Sequence, residues 1–479
     1  MIKVKRDILS YFPKKHVPRP VQAELLQQIE AHWDSSDVIA INAPVALGKS
    51  DIAYAIARWA GRASILTPSK ILVNQYLSDF TGLPSLKSKE DYACTNDADH
   101  NCYMASRIRG TTKKPVYCPR CSYTTALRQC RAVPYYVCNY HVYMAHRLYR
   151  PTLIVDEAHN LVPMIQDLAA RRVWQHKAGY PTWVQSYSDL VRWLEPNEDP
   201  ALADIRDLVM GEPKFIMQRT RESYGREHHL EDVIKLIPLD VRDHPPVLWP
   251  KGTVEKIVLL SATIGRRDID ALGLGKDRGF RVTYIEAASP IPVANRPVVF
   301  DPVVNASFAG QSESIPVLAA HIKRLRDYHF PGNGVVHCTY DMARKLEPFF
   351  LDMPWALWHD SSSRSEVYNT FLSAAPDSGT VMFASGMYEG IDLKGGLSEW
   401  QALCKIPWPS LADPAIAHMA EVDEDLYGWE TLKQVLQFSG RVCRTPTDYG
   451  VSYILDSTYT RLTQLADRHI PAWYREAME

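Results

Sequence analysis

The chain has 479 residues, 46% hydrophobic and 23% charged, a globular balance that excludes wholesale disorder. Its 54 Lys and Arg against 55 Asp and Glu leave a formal net charge of -1, so no overall basic character marks a nucleic-acid binder. Nine cysteines are too few for a disulfide scaffold, and neither a signal-type apolar core nor a run of the ~20 apolar residues that span a bilayer occurs. The expectation is a soluble intracellular protein, cytoplasmic or, in a eukaryote, nuclear.

In chain order, apolar runs at 38–41, 63–67, 152–155 and 256–260 predict buried strands, with a helical stretch over 50–60 after the first. A second series follows at 334–338, 380–383, 401–404 and 451–455. Short apolar runs separated by helical segments predict parallel sheets covered on both faces, hence two doubly wound α/β domains. Two insertions interrupt the first. Residues 85–135 hold a cysteine cluster, and residues 163–248 read helical, with Trp183, Tyr187, Leu190, Val191 and Leu194 spaced as one buried face. The first domain is therefore expected over 1–84, 136–162 and 249–285, and the second over 286–479.

Phosphate chemistry is written at three places. After the first strand comes Ala43-Pro44-Val45-Ala46-Leu47-Gly48-Lys49-Ser50, whose end supplies a tight loop, a lysine for phosphates and a hydroxyl for Mg2+. The strand at 152–155 ends in Asp156-Glu157-Ala158-His159, placing one carboxylate for Mg2+ and a second to orient and deprotonate water. The second domain ends in Gln437-Phe438-Ser439-Gly440-Arg441-Val442-Cys443-Arg444. On a helix its two arginines would share a face and could approach one anion where charge develops.

Asp156 to His159 (DEAH), Ser261-Ala262-Thr263, Glu389-Gly390-Ile391-Asp392 and Gln437 to Arg444 together resemble superfamily-two helicases. The Cys-rich insertion ahead of DEAH, Asn139-Tyr140-His141 and the segment SPIPVANR resemble the XPD/DinG-type iron–sulfur DNA helicases, in the family's order from Arg19 to Asp456. The resemblance implies two RecA-like domains with a metal-cluster insertion and a helical arch in the first. It further implies Gln22 as the adenine-sensing glutamine, Gly48, Lys49 and Ser50 as the phosphate and Mg2+ loop, and Asp156 and Glu157 as Mg2+ ligand and base. Gln437, Arg441 and Arg444 are similar to the nucleotide-sensing and arginine-finger positions. Asp392 would help close the site, while His159 and Ser261 to Thr263 would couple hydrolysis to DNA movement. Val45-Ala46 departs from the Thr-Gly common in the family.

Among the clustered cysteines, Cys118-Pro119-Arg120-Cys121 is a tight metal-binding pair preceded by Cys94 and Cys102, whereas Cys138 lies in an apolar strand. The expected ligands are Cys94, Cys102, Cys118 and Cys121, with Cys130 in reserve. Four thiolates suit zinc or a [4Fe–4S] cluster by count, and the helicase resemblance selects the cluster.

From His100 to Val155 there is no Asp or Glu, while Arg107, Arg109, Lys113, Lys114, Arg120, Arg128, Arg131, Arg147 and Arg150 are interleaved with Tyr103, Tyr117 and Tyr123. Cations with stacking platforms predict a single-stranded DNA surface. The expected protein is a monomeric ATP-dependent DNA helicase or translocase, with the 5'-3' polarity that the resemblance implies, using ATP, Mg2+ and the cluster on single-stranded, forked or tailed DNA. The alternatives are a DNA-stimulated ATPase that remodels protein–DNA complexes, and a metal-stabilised DNA-binding module with a degenerate nucleotide site.

Overall fold

The computed structural model describes residues 7–95, 97–109, 121–211, 214–224, 229–242, 248–306, 311–387, 393 and 396–479. Cys118 and the segment 389–392 lie outside these residues.

Five-residue strands with every side chain buried, such as Val38–Asn42, Ala63–Thr67 and Thr152–Asp156, form the centre of the first sheet. Such runs cannot face water on either side, so they pair in parallel under covering helices. Its order is Val282–Glu286, Val38–Asn42, Lys256–Ser261, Thr152–Asp156, Ala63–Thr67, Tyr135–Asn139 and Ser85–Leu86. The strands carrying the lysine loop and the acidic pair thus flank Lys256–Ser261, and all three end at the same edge, as Leu260 pairs with Asp156.

The second sheet has six strands, ordered Val298–Val304, Val451–Asp456, Trp400–Leu403, Gly334–Cys338, Val381–Ser385 and Ala356–Leu357, every neighbour parallel. Helix Glu424–Ser439 covers it through Trp429, Leu432, Val435 and Leu436. Gly334 admits no side chain, since a Cβ there would meet the Trp400 ring at 2.1 Å. Two compact units result. The first comprises Met1–Ile41, Gly48–Ile285 and Ser410–His418, and the second comprises Asn42–Leu47, Glu286–Pro409 and Met419–Glu479.

The insertion expected to be helical over 163–248 is mixed. Helices Tyr187–Leu194 and Ala203–Met210 pack on an antiparallel sheet of Arg171–Trp174, His229–Pro238 and Phe215–Tyr224. Charged residues dilute the two-residue period of these strands, and long-range ladder pairing carries them instead, with Val233 opposite Thr220 and Trp174. At its centre the buried Lys235 meets Asp167 and, at 2.9 Å, Glu222, and both carboxylates also pair with Arg172. Trp183 precedes the helix and is 46% exposed, so it is not part of the predicted face, whereas Leu190 and Leu194 are fully buried.

Candidate functional site

The loop after Val38–Asn42 turns into helix Lys49–Ala60 through Gly48, whose φ of +78° is left-handed and suits glycine. A Cβ at Gly48 would also lie 2.5 Å from Gln22 Nε2, so the glutamine amide lies against the loop. Gln22 is buried in the first turn of helix Pro20–His32, its Oε1 accepting from the Arg19 amide at 2.8 Å. Ala46 keeps a φ of +64° without being glycine, a conformation that costs an L-residue about 1–2 kcal/mol. Within the second unit, Val45 and Ala46 pack on the cluster of Ile291, Met387, Val442 and Cys443.

Three distant motifs meet in the first unit. Lys49 Nζ is 3.2 Å from Glu157 Oε1. Asp156 is almost wholly buried, and its Oδ1 accepts from the Glu157 amide at 3.0 Å. Burial and the adjacent Glu157 raise its carboxyl to about 6, against the opposing pull of Lys49 and of a hydrogen bond from Tyr76. Glu157 has a left-handed φ of +50° that turns its side chain back to the lysine. His159 Nδ1 lies 2.8 Å from Ser261 Oγ and 3.4 Å from Glu157 Oε2. Because Asn160 Nδ2 donates to His159 Nε2 at 3.0 Å, the ring proton sits on Nδ1, where it faces those two oxygens.

Sequence reasoning missed Tyr76 and gave Tyr140 no role beyond its place in Asn139-Tyr140-His141. Tyr76, in helix Lys70–Asp79, donates to Asp156 Oδ2 at 2.8 Å and is fully buried. Tyr140 donates to the carbonyls of Asp156 and Glu157 at 3.1 and 3.2 Å, bracing the strained turn. Tyr76 carried no signal, because a buried aromatic on an amphipathic helix reads as core.

In the second unit, helix Glu424–Ser439 stops at Gly440, so Arg441 and Arg444 follow the helix and do not share a helical face as expected. The Arg444 amide instead donates to Asp448 Oδ2 at 2.8 Å in a turn. Arg441 acts on the fully buried His337, whose ring burial and this cation drive down to about 3. Gln437 Oε1 is buried with no hydrogen-bond partner among the described residues. Asp392 lies outside the described residues.

Of the expected metal ligands, Cys94, Cys102 and Cys121 come together, for burial raises the Cys102 thiol and Cys121 and Cys94 raise it further. Cys121 caps helix Ser122–Ala132. Burial opposes its ionisation, but the Thr124 hydroxyl and amide, with Cys102, outweigh this and hold the thiol below its usual range. Cys130 and Cys138 differ in kind. Both are fully buried; burial pushes Cys130 up to about 12 and Cys138 well above its usual value. They are core thiols, whereas Cys102 interacts with both Cys94 and Cys121. Among the described residues, which do not include Cys118, no three His, Cys, Asp or Glu side chains form a group that could hold a metal ion.

The basic stretch is divided by burial. Arg128, Arg131 and Arg147 are exposed. Arg150 is not part of an open surface: it is buried, and its Nη2 donates to the carbonyls of Cys130, Arg131 and Val133 at 2.7, 3.1 and 3.1 Å. It satisfies the C-terminal carbonyls of the cysteine-capped helix. Tyr123 is likewise buried, edge-on to Tyr92 and bonded to His146, and offers no stacking face. Lys113, Lys114, Tyr117 and Arg120 lie outside the described residues.

Residues 336–477 match the helicase C-terminal domain family, which places a helicase domain in the second unit. The chain as a whole shares its fold with solved XPD helicase structures. It is similar over 96% of its length to 99% of the Xpd4 structure from S. tokodaii, with a TM-score of 0.59 at 15% identity. A solved XPD helicase aligns over 94% of this chain and 98% of its own, with a TM-score of 0.61 at 12% identity. No curated protein matches the sequence. Among the described residues no helix is long and apolar enough to cross a membrane.

Proposed function

We propose that this protein is an ATP-dependent DNA helicase or translocase that moves 5'-3' on single-stranded DNA and unwinds forked or tailed duplexes. The observation that carries the reading is the convergence of three motifs, with Lys49 Nζ 3.2 Å from Glu157 and His159 of the acidic motif 2.8 Å from Ser261. Lys49 would take the phosphates, Ser50 and Asp156 would hold Mg2+, and Glu157 would accept the proton of the attacking water. Lys49 Nζ pairs with Glu157 Oε1 at 3.2 Å, and a bound phosphate would compete with the carboxylate for the lysine. Gln22 would recognise the base of the nucleotide. Gln437, Arg441, Arg444 and Asp392 are proposed as its sensing and charge-stabilising groups on the strength of the family resemblance. ATP hydrolysis with and without single-stranded DNA, and unwinding of 5'-tailed against 3'-tailed duplex, test the reading. An intact protein that hydrolyses no ATP under either condition overturns it.

Cys94, Cys102, Cys118 and Cys121 are proposed to hold a [4Fe–4S] cluster. Bound there, the cluster would cross-link a segment with little apolar content and so hold its fold. Iron and labile-sulfide analysis of anaerobically purified protein decides this, and zinc without iron overturns it. The exposed Arg128, Arg131 and Arg147 are the described cations proposed to meet DNA phosphates. The contact of Lys49 with Glu157 supports an operating nucleotide site over a degenerate one.

A further inference from the structure

Two side chains are assigned to Mg2+ in the reading above, the Ser50 hydroxyl and the Asp156 carboxylate, and both touch a third group. Tyr76 Oη donates to Asp156 Oδ2 at 2.8 Å, and the Ser50 side chain interacts with the same phenol. Tyr76 thus stands between the phosphate loop and the end of the strand Thr152–Asp156. The phenol is wholly buried, so no water competes for either contact. The remaining carboxylate oxygen, Oδ1, is occupied by the Glu157 amide at 3.0 Å. Asp156 is therefore oriented from both sides, and only its unused lone pairs can face a cation.

A buried carboxylate next to a second carboxylate is costly to keep ionised, and each hydrogen bond to the charged form offsets part of that cost. A phenol is suited to this task. Its rigid ring is locked by packing against Phe80, with ring centroids 5.8 Å apart, so the hydroxyl is delivered without rotamer freedom. It also accepts and donates at once, which an aliphatic core residue at this position could not do.

We propose that Tyr76 is a positioning residue for magnesium, holding the Ser50 hydroxyl and the Asp156 carboxylate in the arrangement that receives the nucleotide-bound cation. The inference rests on the assignment of the nucleotide site. Tyr76 touches neither phosphate nor water in this role. It acts through Ser50 and Asp156, so its removal affects metal-dependent binding and leaves metal-free nucleotide contacts alone.

The test is Tyr76→Phe in the full-length protein, read by binding of a fluorescent ADP in EDTA and across a Mg2+ titration. The expected result is a three- to tenfold rise in the Mg2+ concentration needed for half-maximal binding, with binding in EDTA unchanged. In a Ser50→Ala background the same substitution should add less than twofold, because one of the two contacts is already lost. An unchanged or lower Mg2+ requirement in Tyr76→Phe overturns the proposal, as does equal weakening with and without Mg2+, which would mark a packing role. If the phenylalanine variant does not fold, Tyr76→Met removes the hydroxyl with a more adaptable side chain and is read in the same way. Failure of the wild-type protein to bind the nucleotide at all would instead remove the site assignment, and the proposal with it.

Discussion

Lys49 Nζ and Glu157 Oε1 stand 3.2 Å apart although the two residues belong to separate motifs. The pairing requires Glu157 to adopt its left-handed backbone, which the Tyr140 hydroxyl braces through the carbonyls on either side of the turn. In the proposed reading a bound phosphate would compete with Glu157 for the lysine.

Lys49→Ala should abolish ATP hydrolysis while single-stranded DNA binding is retained. Glu157→Gln should retain Mg·ATP binding but lower kcat by roughly 10²–10⁴-fold, the usual contribution of a general base. Steady-state hydrolysis with parallel nucleotide-binding measurements checks both, and undiminished turnover in either variant would show that the site lies elsewhere.

The cysteines should separate by iron content. Cys121→Ser or Cys102→Ser should lose iron. Cys130→Ser should keep it but lose about 1–3 kcal/mol of stability, because a hydroxyl then replaces a fully buried thiol in apolar surroundings. Iron assay and chemical denaturation on the same preparations distinguish the two outcomes.

Two arginines of the acid-free stretch should behave oppositely. Arg150→Ala strands three carbonyls that now share one guanidinium and should cost about 2–3 kcal/mol, with DNA affinity unchanged in the folded fraction. Arg131→Ala, on the exposed side, should leave stability intact and reduce the slope of log affinity against log salt by about 0.7 on single strands. Fluorescence anisotropy at several salt concentrations reads the second effect and thermal melting the first.

The charge network of the insertion sets a pH dependence. At Asp167 and Glu222 burial alone would raise the carboxyls, but Lys235 and Arg172 outweigh it and hold both below their usual range. A carboxyl depressed in the folded state contributes stability above its unfolded value of about 4, and that contribution is lost as pH falls through the folded value. Melting temperature should therefore drop between pH 5 and pH 3, and drop less in Lys235→Met, whose carboxylates have lost one partner. Thermal scans across that range would contradict this if the two curves ran parallel.

Much of the fold was legible because fully buried parallel strands carry their own signature. The runs predicted at 63–67 and 334–338 coincide with Ala63–Thr67 and Gly334–Cys338, and the others differ at their ends by one or two residues. The sheet His229–Pro238 with Phe215–Tyr224 was not legible, since its stability comes from pairing between distant segments and its charged residues blur the local period. The helix carrying Gln437 was predicted too long. Gly440 ends it, so the spacing of Arg441 and Arg444 conveys nothing about a shared helical face.

By itself the sequence determined the kinds of chemistry available: a lysine loop, an acidic pair, a set of thiols and an acid-free basic run, each recognisable because its residue types and local spacing are the signal. Only the tertiary structure decided which of these groups meet and which are spent on the fold. Tyr76 could join Ser50 to Asp156, and Arg150 could be withdrawn from the basic surface to cap a helix, only through contacts across 80 and about 20 residues of chain. Burial then set the character of each group, pushing Cys130 up as an inert core thiol while the helix-capping position held Cys121 ready to ionise. The physical reason is that local pattern records what a residue is, whereas its solvation and its partners are fixed by segments far away in the chain.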